Sequence, residues 1–139
     1  MKITNLTTME VLELPDDLYW TDEFEDVPFE EREERSVTGL LLLFQQAKLE
    51  GQPLTLSSSP DRNWIQRAKV RKLYSWGRVM GLKMKLSLES AVDVRSFTVS
   101  FRHSDKNAIE ATPIIDAKPL DDEIYYRITL KLRIHKDVT

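Results

Sequence analysis

Apolar and polar residues alternate with a period of two along three stretches in the second half of the chain. In 82–89, Leu82, Met84, Leu86 and Leu88 fall on one side, and Lys83, Lys85, Ser87 and Glu89 on the other. In 96–103, Phe97, Val99 and Phe101 alternate with Ser96, Thr98, Ser100 and Arg102. In 125–136, Tyr126, Ile128, Leu130, Leu132 and Ile134 alternate with Tyr125, Arg127, Thr129, Lys131, Arg133 and His135. Side chains of a strand point alternately to its two faces, so this pattern predicts half-buried antiparallel strands. A shorter strand is expected over 108–116, where Pro113 favours an edge or a bulge. Turns are expected at 91–93, 104–107 and 118–123.

The first half reads differently. Residues 9–14 suit a short strand that Pro15-Asp16-Asp17 ends. The run SVTGLLLLFQQ over 36–46 is apolar without alternation, which predicts a central strand covered on both faces. Gly51-Gln52-Pro53 suits a turn before a strand starting at 54–56. Residues 57–62 suit a loop in which Ser59 or Asp61 caps a following helix. One segment, 64–80, has a helical period: Val70, Leu73, Trp76 and Met80 recur at steps of three, three and four. Ser75 and Gly77 are weak helix formers, so the helix is expected to end near Gly77 or Gly81. Its stripe suits one end of a β core. Its other faces carry Arg67, Lys69, Arg71, Lys72 and Arg78, which would also suit an acidic partner.

These elements predict a mainly β (α+β) fold, an antiparallel β-sandwich or split barrel flanked by one α-helix. At 139 residues and 41% hydrophobic content, the chain suits a single domain over 1–139 with a core needing no metal or disulfide. It has no cysteine, which excludes disulfides and thiolate chemistry. The first residues show no apolar segment or cleavage pattern of a signal peptide, and the Leu40 to Phe44 run is too short to span a membrane. Synthesis in the cytosol is the expectation.

Charge is distributed unevenly. Residues 1–60 hold 13 acids and 4 bases, a sum of −9; residues 61–139 hold 10 acids and 16 bases, a sum of +6. Such a split is either two solvated surfaces that happen to differ or a dipole that draws copies together head to tail or bridges two unlike partners. The overall acidity argues against nucleic acid as a partner. Within 18–35, Tyr19, Trp20, Phe24 and Phe29 sit among acids. These rings either cap the chain's own core or form a docking surface. The charge run over 30–35 suits a solvated face or a loop.

Catalytic constellations are sparse. His103 with Asp105, or His135 with Asp137, offers two ligands where a zinc site needs three or four. No serine sits in a nucleophile elbow, and four glycines leave little for a phosphate-cradling loop. No acid in the crowded first part is singled out for proton transfer. The expectation is no enzyme activity, no cofactor and no metal.

Several stretches together resemble small tail or baseplate proteins of tailed bacteriophages. They are LELPDDLYWTDEF over 12–24, GQPLTL over 51–56, NWIQRAKVRKL over 63–73, FTVSFRH over 97–103, AIEATPIID over 108–116 and YYRITLKL over 125–132. The resemblance is to the ring-forming, tail-tube-like domain of distal tail proteins. It implies a structural virion protein forming a homo-oligomeric, typically hexameric, adaptor ring between the tail tube and the baseplate or hub, away from any membrane. Alternatives are a small β-barrel module binding a peptide, sugar or nucleic acid, and a head-proximal tail-completion protein. Ring closure needs two unlike patches on each copy. The expected patches set Trp20, Asp22, Glu23, Phe24, Glu30 and Glu31 against Arg71, Lys72, Arg127 and Arg133 of a neighbour.

Overall fold

The computed structural model describes residues 1–15, 18–59, 61–88, 95–115 and 123–135. The turn expected at 91–93, most of that at 118–123, Asp16 and Asp17, and the ends of the strands expected to reach Glu89, Asp116 and Lys136 lie outside these residues. In chain order the elements are β1 (Lys2–Asn5), β2 (Val11–Glu13), β3 (Tyr19–Trp20), β4 (Phe29–Arg35), β5 (Leu41–Ala47), β6 (Gln52–Ser57), β7 (Ile65–Gln66), α1 (Arg67–Gly77), β8 (Met84–Ser87), β9 (Ser96–Phe101), β10 (Ile109–Pro113) and β11 (Tyr125–His135). The fold is mainly β; among the described residues every strand pairing is antiparallel and there is one α-helix.

β11 organises the sheet. The strand order is β2-β1-β8-β9-β11-β6-β3, and β10 and β7 also pair with β11. The second half of β11 pairs with β9 and β6, with Leu132 opposite both Phe101 and Leu54. Its first half pairs with β10 and, at Tyr125 and Tyr126, with β7. One long strand thus serves two sets of partners, so its alternating side chains register both parts of the sheet. Ile128, Leu130 and Leu132 meet Ile3, Leu54, Leu56, Leu73, Met84, Leu86 and Val99 in one core.

The helix starts later than the sequence suggests. Ile65 and Gln66 are held as strand by Tyr126 and Tyr125, and the Arg67 N–H donates to the Ile124 carbonyl at 2.8 Å. Gln66 is therefore the N-cap and makes no side-chain cap bond. Ser59 and Asp61 are not caps; Ser59 instead bridges to Arg62. Leu73 and Trp76 are buried and Val70 packs against the core, as the stripe predicts. Met80 departs from it. The helix stops at Gly77, so Met80 is off its axis and 99% exposed. A Cβ on Gly77 would lie 3.2 Å from Ile109 Cδ1, which shows how closely the helix end approaches β10.

The largest correction concerns 36–46. The expected central strand is β5, and the charge run 30–35, read as a solvated face or a loop, is the solvated strand β4. The two pair with each other in a separate two-stranded sheet, and every residue of both is exposed. The lack of alternation does mean that both faces carry apolar groups, but here the fold leaves both faces in solvent. Two smaller corrections follow. β6 begins at Gln52, with Pro53 opposite Arg133 in the ladder, and His103–Asp105 forms a short 3₁₀ turn in place of part of the expected 104–107 turn.

Candidate assembly surface

The β4–β5 hairpin has a simple register. Phe29 faces Ala47, Glu31 faces Gln45, Glu33 faces Leu43 and Arg35 faces Leu41; these pairs share one face. Glu30 with Gln46, Arg32 with Phe44 and Glu34 with Leu42 share the other. Each face therefore mixes acids from β4 with apolar groups from β5. Leu41, Leu42, Leu43 and Phe44 are 44, 41, 51 and 51% exposed. On one face Arg32 lies 5.5 Å from the Phe44 ring centre and 2.8 Å from Glu34. On the other, Gln45 donates to Glu31 at 2.9 Å.

The connection 36–40 is built by its own hydrogen bonds. The Ser36 N–H donates to the Leu40 carbonyl at 2.9 Å, and the Leu40 N–H donates to Ser36 Oγ at 3.0 Å. Gly39 sits at φ +86°, where a side chain would be strained. This turn leaves Val37 fully exposed at the tip. The root is tied down by the Lys48 N–H on the Pro28 carbonyl at 2.8 Å and by Lys48 on Asp26 at 3.4 Å. A few residues on, the Gly51 N–H donates to the Ile134 carbonyl at 2.9 Å, so the hairpin springs from the end of β11.

The residues expected at an interface fall into three groups. Glu30 and Glu31 lie on the hairpin, and Phe24 is 92% exposed in the turn before it. Trp20 and Asp22 point inward. Trp20 packs edge-on to Phe97 at 5.7 Å, with Arg95 5.3 Å from its ring, and Arg95 also pairs with Glu23 at 2.8 Å. The Asp22 carboxylate accepts the Thr55 N–H at 2.8 Å and the Thr55 hydroxyl at 2.9 Å, and lies 3.9 Å from Arg102. Arg102 also donates to the Thr55 hydroxyl. Asp22 thus fastens the turn to β6 within its own chain. Of the bases, Arg71 and Arg127 are exposed, Lys72 pairs with Glu10 of the same chain, and Arg133 donates to Ser104 at 3.3 Å.

Trp20→Ala is expected to lower the stability of the isolated subunit by about 1–3 kcal/mol, through lost packing on Phe97. Trp20 Nε1 is buried without a hydrogen-bond partner among the described residues, so Trp20→Phe is expected to cost less than about 1 kcal/mol. Denaturant titration of both variants checks this.

Neither histidine is part of a metal-ligating group of three or more among the described residues. Asp137 and the Asp105 side chain lie outside them. His135 Nε2 is 2.6 Å from Ser100 Oγ, and its Nδ1 is 3.7 Å from Glu50. No described helix is long and apolar enough to cross a membrane. The hairpin was missed in the sequence, although Thr38-Gly39 between two seven-residue runs is a turn signal. Comparison with protein-family models, curated proteins and solved structures gives no match to this chain.

Proposed function

We propose that this chain is a non-catalytic structural subunit that associates with copies of itself through the β4–β5 hairpin. In keeping with the resemblance of its sequence, the assembly is read as an adaptor ring of a bacteriophage tail, between the tube and the baseplate or hub. The observation that supports this reading is the hairpin itself. An isolated two-stranded hairpin is at best marginally stable in water. This one leaves three consecutive leucines and a phenylalanine in solvent, which is costly for a monomer and useful for an interface. Among the described residues neither outer edge of the hairpin is paired, which adds backbone groups that a neighbour can bond.

Light scattering across a concentration series, with electron microscopy of the largest species, tests the reading. The unaltered chain is expected to form closed rings. Leu42→Asp with Leu43→Asp, which charges both faces, is expected to weaken association by more than about tenfold, equivalent to about 1.4 kcal/mol. Thermal unfolding of the main sheet should be unchanged, because neither leucine touches the core. A chain that stays monomeric at millimolar concentration would overturn the reading.

A further inference from the structure

The hairpin has a counterpart at the other end of the molecule. Along the outer side of α1, beside β10, runs a groove of about 440 Å³. Val70, Tyr74, Ile109 and Ala111 give it apolar walls, and Tyr126 closes its floor. Arg67, Arg71 and Arg78 stand along it. A smaller hollow of about 210 Å³ shares Tyr74, Arg78 and Ile109 and continues past His103 and Lys106. Apolar walls with a cationic border match the composition of the hairpin, which carries Glu30, Glu31, Glu33 and Glu34 beside its leucines. With Arg32 and Arg35 counted, β4 sums to −2.

The two features lie at different ends of β11. The hairpin is rooted beside Ile134, and the groove lies beside Tyr126, eight residues earlier on the same strand. At about 3.3 Å per residue the two are separated by roughly 26 Å along β11. The hairpin strands, of seven residues each, extend about 23 Å. A projecting element at one end and an unlike receiving groove at the other make a head-to-tail contact, the kind that closes rings. Resting on the self-association proposed above, we infer that the β4–β5 hairpin of one copy docks in the α1–β10 groove of the next. The leucines lie against Val70, Tyr74 and Ile109, and the β4 glutamates face the arginines along the groove. The charges orient the approach and the apolar contacts hold it.

The absence of cysteine makes the test clean. One preparation carries Val37→Cys at the hairpin tip, a second carries Ser75→Cys on the groove side of α1, and a third carries Lys83→Cys before β8 as a control. Mixtures are treated with a short bismaleimide and separated by denaturing electrophoresis, and linked peptides are identified by mass spectrometry. The Val37→Cys and Ser75→Cys mixture is expected to yield a linked pair, lost in the Leu42→Asp, Leu43→Asp background. The Val37→Cys and Lys83→Cys mixture is expected to yield none. Oligomers seen by light scattering without the Val37–Ser75 link, or with the control linked equally, would overturn the docking site and leave self-association standing. Monomers alone would overturn both.

Discussion

Leu130→Ala is expected to lower the unfolding free energy by about 2–5 kcal/mol. Leu130 has no solvent exposure and sits midway along β11, between Ile109 of β10 and Leu56 of β6. Truncation there removes apolar contacts on both sides of the central strand and leaves a cavity that neighbours on several strands cannot close by one local shift. Lys131, the next residue, points the opposite way and pairs with Glu110 at 3.3 Å on a half-exposed partner. Lys131→Ala is expected to cost no more than about 0.5 kcal/mol. Urea titrations of the two variants give the comparison directly. Equal and small losses would show that β11 faces the other way.

Asp22→Ala is expected to cost about 2–4 kcal/mol. The carboxylate accepts two hydrogen bonds from Thr55 and lies close to Arg102, whose side chain is only 15% exposed. Removing it leaves the Thr55 N–H and hydroxyl without this acceptor and takes a counter-charge away from a mostly buried guanidinium. Asp22→Asn keeps an oxygen for the Thr55 N–H and is expected to lose roughly half as much. Denaturant titration should rank alanine below asparagine below the unaltered chain. A loss under about 0.5 kcal/mol for Asp22→Ala would show the contact to be incidental.

The sheet was legible where one face is buried and the other is not. Leu82, Met84, Leu86 and Leu88 are all buried, as are Tyr126, Ile128, Leu130 and Leu132, because period-two alternation records a single covered face. The helix was legible for the same reason through Leu73 and Trp76, and its start was not. Whether Ile65 and Gln66 are strand or first turn depends on Tyr125 and Tyr126, some 60 residues away. The acids of the first part were not separable by sequence. Glu30 and Glu31 lie on the projecting hairpin, but Asp22 resembles them in sequence and differs in having Thr55 above it. Composition cannot distinguish an acid that is held from one that is presented. The Leu40 to Phe44 run misled because hydrophobicity marks surface that favours covering without saying whether the rest of the chain covers it.

The place of β11 in the chain order has a consequence for how the molecule comes to be folded. The strand that joins β6, β7, β9 and β10 follows all of them in the sequence. During synthesis the sheet cannot close until this strand has left the ribosome, and pairing over such separations is slow. The β4–β5 hairpin, by contrast, needs only residues 29–47 and emerges long before. For most of translation the nascent chain therefore displays its apolar arm on an unfinished body. That interval is when an uncharged, strongly β-forming run such as Leu40 to Phe44 is most exposed to mispairing with other chains. Arg35 and the β4 glutamates, directly across the ribbon, stand where charges restrain such mispairing.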